Sequence, residues 1–157
     1  MVLKSYLPKK VRDKERSIMK HNQKSHAPSQ QRQQREGVVA VIEQNDLFLV
    51  IQRSQHVVAP GKLCFPGGGI EAGESQPVAL CRELIEEVAV KVDPGEKLWE
   101  SVTTAKTRIH WWSAVIIKGE VLRANPKEVA HIFWMTKRQL LEHEDLLPGN
   151  RDFLNRD

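Results

Sequence analysis

Cysteine is scarce in this chain. The 157 residues hold two, Cys64 and Cys81, with no CxxC pair and no Cys/His cluster at zinc spacing. That excludes a disulfide scaffold and a zinc finger, and fits a reducing cytoplasm in which both thiols are small buried hydrophobes. Tyrosine occurs once, as Tyr6, and aromatic residues make up only 6% of the chain. No apolar run approaches the roughly 18 residues needed to cross a bilayer. The basic N-terminus lacks the apolar core and small-residue cleavage site of a secretory signal. The expectation is a cytoplasmic protein with no membrane contact.

What is present is ordinary for a globular domain: 40% hydrophobic and 28% charged residues, on a chain long enough for one domain with a real core. The net charge of +4 conceals an asymmetry. Residues 1–36 hold ten Lys/Arg against three acids, or +7, and residues 37–157 hold fourteen against seventeen, or −3. The sequence pI near 9.2 therefore belongs to a tail on a mildly acidic body. From Ser25 to Glu36 the tail reads SHAPSQQRQQRE, a stretch without the apolar surface to repay ordering. A short helix is expected between 9 and 20. The organisation expected is a basic, Gln-rich extension at 1–36 and a folded domain at 37–157.

In the domain, 37–43 and 47–53 are β-rich runs joined by Gln44-Asn45-Asp46, a hairpin-like connection. A loop with Pro60 and Gly61 leads to a short apolar stretch at 63–65. Gly67-Gly68-Gly69 reads as a turn, because three glycines weaken either regular element. From 75 to 88 the pattern is helical, with Ser75 as cap and Pro77 in the first turn. Strands are expected at 98–103, 109–121 and 129–135, and helices at 136–143 and 149–155. Strands flanking a central helix, with helices closing the chain, predict an α/β fold with a mixed sheet packed between helices.

At about 100° per residue, Leu80, Cys81, Leu84, Ile85 and Val88 share one arc of the central helix, which is its expected core face. Arg82, Glu83, Glu86 and Glu87 occupy most of the opposite arc. Positions 83, 86 and 87 are i+3 and i+4 neighbours, so three carboxylates crowd together with Arg82 as the one basic residue on the helix. Such crowding is destabilising unless a cation collects it, and oxygen donors without His or Cys favour a hard ion such as Mg²⁺ or Mn²⁺.

Gly68, Glu74, Arg82-Glu83-Leu84, Glu86-Glu87 and Val90 then stand at the spacing of the Nudix box, Gx5Ex7REUxEExGU with U aliphatic. Eight of its nine defined positions are met between residues 68 and 90. The chain resembles the Nudix hydrolases over residues 37–156. The exception is Ala89, where the box has a glycine that usually ends the helix in a left-handed conformation. The resemblance implies an α/β/α sandwich and magnesium- or manganese-dependent cleavage of a phosphoanhydride in a nucleoside-diphosphate-linked compound. It implies that Glu83, Glu86, Glu87 and the Gly68 carbonyl hold the metal, that Arg82 orients a carboxylate and that Glu74 supports the loop–helix geometry. Glu86 or Glu87 would be the first choice of general base, with Glu128 the second.

The surroundings resemble the MutT type, the nucleoside triphosphate pyrophosphohydrolases. By that resemblance Phe65 stacks near the base, Arg53 meets a phosphate, and Asn150, in Leu147-Pro148-Gly149-Asn150, reads a purine edge. Phe65 can equally be core, and Asn150 can equally cap the last helix. Hydrolysis of RNA ends, coenzyme A or dinucleotides is the alternative, as is a non-catalytic nucleotide-binding Nudix module. The basic extension would support a weak nucleic-acid contact. Trp111 and Trp112 are adjacent on a strand, so one of them can face a pocket. His110 and His131 lack partners at ligand spacing and read as ordinary strand residues.

Overall fold

The computed structural model of the protein describes residues 34–156. The helix expected between 9 and 20 lies outside them. In chain order the elements are β1 (Glu36–Val41), β2 (Glu43–Gln44), β3 (Leu47–Arg53), β4 (Leu63–Cys64), β5 (Gly67–Gly69), α1 (Gln76–Val88), β6 (Val92–Val102), β7 (Arg108–Ile116), β8 (Val129–Met135), α2 (Lys137–Glu142) and α3 (Pro148–Leu154).

The strands form two four-stranded sheets. One runs β5-β1-β7-β6, with β1 and β7 parallel and the other pairs antiparallel. In the other, β3 pairs with β2 and β4 along one edge and with β8 along its other edge, all antiparallel. Alternate residues of β1 separate two cores, because successive side chains leave a strand on opposite faces. Val38 and Ala40 join Leu80, Leu84 and Val88 of α1 in the first core. Val39 and Val41 join Phe65, Trp111, Leu140 and Leu154 in the second, with α2 and α3. The fold is thus α/β, with mixed β structure between α1 and the two C-terminal helices.

Local signals placed several elements. Asn45 and Asp46 take positive φ values of 51° and 62° between the paired residues Gln44 and Leu47. That is the two-residue turn whose twist suits a hairpin, and Asn and Asp tolerate it. Ser75 caps α1 by accepting from Val78 N at 3.4 Å. At α2, Thr136 and Gln139 form a reciprocal capping box, as expected for a Thr followed three residues later by Gln.

Three expectations change. Gly67–Gly69 is a strand, not a turn, paired antiparallel with β1 through Gly37, Val38 and Val39. The glycines are needed for close approach: a Cβ on Gly67 would collide with the Val38 carbonyl, and one on Gly68 with the Glu83 carboxylate. The strand expected at 109–121 stops at Ile116, because Gly119 turns the chain at φ 93°. The strand expected at 98–103 instead begins at Val92 and includes Pro94. As an edge strand β6 accommodates Pro94 and Gly95 where the register slips between Pro94 and Lys97, since an edge position needs no donated hydrogen bond there.

α1 ends as the box pattern requires despite its alanine. Ala89 adopts φ 58°, ψ 30°, and its N–H bonds to Ile85 O and Leu84 O. A Cβ in this left-handed region costs about 1 kcal/mol. Ala89→Gly is therefore expected to stabilise the protein by about that amount, less a few tenths for the added freedom of the unfolded chain. Urea denaturation checks it, and a lower midpoint for the glycine variant would contradict the strain.

Candidate active site

α1 buries Glu83 and Glu87 together with Ala79, Leu80, Leu84 and Val88. The buried stripe is rotated from the purely apolar arc, so Ile85 is 50% exposed instead of core. The rotation aims two carboxylates at β5. Glu87 Oε2 accepts from Gly67 N at 2.8 Å, and Gly68 lies directly against the Glu83 carboxylate. Glu128, at the end of the turn before β8, reaches the same place from 41 residues downstream. Glu83, Glu87 and Glu128 each offer a carboxylate oxygen, and these oxygens lie within 4.8 Å of one another.

Arg82 braces this arrangement. Its Nε and Nη2 donate to Glu74 at 2.7 and 2.9 Å, and Nη2 also to Gly69 O at 2.8 Å. Nη1 donates to Glu83 at 2.9 Å and Glu86 at 3.1 Å. Glu74 also accepts from Glu71 N at 2.9 Å. The guanidinium fork thus ties the loop after β5 to the helix, which is the use to which its planar geometry is suited. Arg82, followed by the Glu71 N–H, holds Glu74 at about 2, far below the usual carboxylate range.

Burial dominates at the other carboxylates. Glu87 is 5% exposed, and desolvation pushes its carboxyl up to about 8. The Gly67 N–H opposes that rise, while the charges of Glu83 and Glu128 add to it. Glu83 is raised as well, first by desolvation and against the pull of Arg82. Three converging oxygens whose charges are mutually unfavourable are the donor set a hard divalent cation accepts. No softer donor, neither a His nitrogen nor a Cys sulfur, is among them.

Next to the carboxylates is a cavity of about 510 Å³ whose lining includes Gly67, Gly68, Arg53, Phe65, Trp99 and Asn150. Arg53, at the end of β3, has Nε bonded to Val58 O at 2.6 Å, and no carboxylate among the described residues lies within salt-bridge distance of it. Phe65 is 2% exposed and held by rings on three sides: Phe48 stacked at 5.7 Å, and Trp111 and Phe153 edge-on at 6.3 and 5.9 Å. Both readings of Phe65 meet here, since it is core and yet borders the cavity. Trp111 faces the cavity, while Trp112 points to α1 and donates to Gln76 at 3.0 Å. Asn150 is not the cap of α3, whose N-cap residue is Leu147 with no side-chain cap hydrogen bond. Its Oδ1 accepts from Phe65 N at 2.8 Å, tying α3 to the segment between β4 and β5.

Of the anticipated metal set, Gly68, Glu83 and Glu87 come together. Glu86 stays outside, half exposed and turned to Arg82, and Glu128 takes the third place. Sequence reasoning missed Trp99 and Asp152, which also line the cavity. Neither stands in a motif, and β6 and α3 bring them there only in the folded chain. His110 lies in strand β7 as read, buried between Glu36 at 3.1 Å and Glu100 at 3.3 Å. The pairing of β1, β6 and β7 brings these three side chains together, so no spacing within the sequence announces the contact.

The NUDIX domain family model matches residues 33–156. The chain belongs to that family, and it is a hydrolase acting on acid anhydrides. It is 31% identical over 111 residues to the CTP pyrophosphohydrolase of Escherichia coli, covering 69% of this chain and 80% of that one. It is 27% identical over 124 residues to a Mycobacterium tuberculosis protein named provisionally as 8-oxo-dGTP diphosphatase 2, covering 74% and 83%. Among solved structures, the solution structure of the E. coli ORF135 protein superposes with a TM-score of 0.61 at 28% identity, over 76% of this chain and 85% of that one. No helix among the described residues is long and apolar enough to cross a membrane.

Proposed function

We propose that the protein hydrolyses purine nucleoside triphosphates, guanine-type above all, to a monophosphate and pyrophosphate with Mg²⁺ or Mn²⁺ as cofactor. The observation that carries this reading is the adjacency of two unlike environments. Three carboxylates, two of them buried, converge within 4.8 Å, and the glycine strand that Glu83 and Glu87 touch forms one wall of a cavity that also holds aromatic rings and a polar Asn. Glu83, Glu87 and Glu128, with the Gly68 carbonyl, would hold the cation, and Glu86 stands outside them to take the proton of the attacking water. When bound, the cation supplies positive charge against the phosphates and makes water more acidic. Arg53 would meet a phosphate oxygen, and Phe65 would form part of the wall against which the base lies. The remaining work is positioning, which dominates catalysis of phosphoryl transfer. The basic extension ahead of β1 is not needed for this chemistry, and its charge suits a weak contact with polyanions.

Asn150 is proposed to read the base with the amide nitrogen, because its Oδ1 is occupied by Phe65 N. An amide nitrogen donates, which suits the carbonyl edge of a guanine-type base. A pyrimidine preference is the second reading, supported by the name of the 31% identical relative. A panel of the four nucleoside triphosphates with Mg²⁺, reading pyrophosphate release, decides between them: GTP should lead, and CTP in first place would overturn the purine assignment. Asn150→Asp keeps an acceptor for Phe65 N and loses the donor. It should lower kcat/KM for GTP by roughly tenfold or more relative to ATP and CTP, whose bases carry an amino group where guanine has its O6 carbonyl. Equal losses on all four substrates would make Asn150 a purely structural residue.

A further inference from the structure

Glu128 is the one member of the carboxylate group that α1 does not carry, so something must set its distance from Glu83 and Glu87. The backbone of 123–129 supplies the connection. A helix leaves its last carbonyls without partners, and here the incoming chain covers them. Arg123 N donates to Val88 O at 2.9 Å, and Asn125 N to Glu87 O at 2.9 Å. Asn125 Nδ2 donates to Glu86 O at 3.1 Å. One residue thus caps the carbonyls of two acidic box residues.

The same Asn125 builds the turn that delivers Glu128. Its Oδ1 accepts from Lys127 N at 3.2 Å, an Asx-type turn, and its carbonyl accepts from Glu128 N at 2.9 Å and Val129 N at 2.7 Å. On the far side Ser54, 3% exposed, donates from N to Glu128 O at 2.9 Å and from Oγ to Lys127 O at 2.7 Å. The backbone of Glu128 is therefore held at N by Asn125 and at O by the end of β3, which also carries Arg53.

We infer that Asn125 is a positioning residue for the divalent-cation site: its side-chain amide pins the turn carrying Glu128 to the end of α1 and so sets the separation of Glu128 from Glu83 and Glu87. The inference rests on the metal reading of the carboxylates. The cation-free carboxylates repel one another, so the turn needs an attachment that does not depend on the ion. The Asn125 Nδ2–Glu86 O bond is the side-chain part of that attachment, added to the backbone bonds from Arg123 N and Asn125 N, and it acts on Glu128 without touching substrate or cation.

Mn²⁺ binding by the full-length protein, measured by calorimetry and by the EPR signal of free Mn²⁺, tests this without turnover. Glu128→Gln should weaken Mn²⁺ binding at least tenfold, about 1.4 kcal/mol. Asn125→Ala, which removes the whole side chain, should weaken it by roughly tenfold. Asn125→Asp keeps the Asx acceptor and loses the Nδ2 donor, so it should weaken binding as much as Asn125→Ala. In the Glu128→Gln background, Asn125→Ala should add little, because the two act through one group. Additive losses would show that Asn125 acts elsewhere and would overturn the inference, as would wild-type binding by Asn125→Asp. If Glu128→Gln leaves Mn²⁺ binding unchanged, the metal reading of Glu128 itself fails and the inference falls with it. Urea denaturation of each variant identifies unfolding, and the Asp variant keeps the comparison open if the Ala variant does not fold.

Discussion

Glu87→Gln is expected to lower kcat by about a thousandfold, equivalent to about 4 kcal/mol of lost transition-state stabilisation. Glu87 is the most enclosed of the three converging carboxylates, and its Oε2 is fixed by the Gly67 N–H at 2.8 Å. Glutamine is nearly isosteric and can still accept that bond through its carbonyl oxygen. What it removes is one negative charge from the proposed cation site and one oxygen donor. Folding should survive, because the neutral amide takes the place of a carboxyl that desolvation keeps protonated in the cation-free fold. Steady-state kinetics over a range of Mg²⁺ concentrations checks the expectation. Partial recovery at high Mg²⁺ would fit a weakened site, whereas wild-type turnover at ordinary Mg²⁺ would remove Glu87 from the mechanism.

In the absence of divalent cations, the protein should lose stability as pH rises from about 5 to 8, and Mg²⁺ should reverse the trend. The Glu87 carboxyl is raised from 4.5 to about 8 in the fold. Below pH 4.5 both the folded and unfolded states hold the proton, so its burial carries no charge penalty. Between 4.5 and 8 the folded state keeps a proton that the unfolded state has released, so ΔG of unfolding falls as pH rises. At 1.36 kcal/mol per pH unit the shift amounts to about 4 to 5 kcal/mol by pH 8. Glu83 adds in the same direction. Glu74 acts oppositely, because Arg82 lowers it to about 2: its contribution is present above 4.5 and lost as pH falls toward 2, outside this window. A cation binds the deprotonated carboxylates, so its stabilising effect grows across the interval in which they would otherwise stay protonated. Thermal unfolding at pH 5 and 8, in EDTA and in millimolar Mg²⁺, separates the terms. The Mg²⁺-induced rise in Tm should be larger at pH 8, and Glu87→Gln should flatten the profile in EDTA. An equal Mg²⁺ shift at both pH values would place the cation away from Glu87.

The glycine strand shows where local reasoning stops. Isolated glycines disfavour regular structure, so Gly67-Gly68-Gly69 reads as a turn. In the fold β1 supplies the hydrogen bonds, and a Cβ has no room at Gly67 against the Val38 carbonyl or at Gly68 against the Glu83 carboxylate. A tertiary requirement for space outweighs a local preference. The same limit applies to the helix. Periodicity placed α1 and its three carboxylates well, yet it assigned Glu83 and Glu87 to the arc opposite the core. The structure buries both, because β5 packs beside the apolar stripe and turns that side into an interior polar site.

The sequence by itself determined the elements whose signals are local: the Asn45-Asp46 hairpin, the Ser75 cap, and the extent of β3 and β8. The left-handed stop at Ala89 is imposed by the fold, since alanine disfavours that region. It also determined the membership of the family, since the box residues lie within one contiguous segment whose spacing reflects a single loop and helix. Only the tertiary structure decided which carboxylates meet. Glu86 and Glu87 are sequence neighbours, but a helix turns about 100° per residue, so one lies under β5 and the other faces outward to Arg82. Glu128 joins Glu83 and Glu87 on a turn that Asn125 bonds to the end of α1 and Ser54 bonds to the chain just after β3. Trp99, Asp152 and Asn150 share a cavity because β6 and α3 close over it. Such convergence depends on distances through space between segments far apart in the chain, and no periodicity along the chain encodes them.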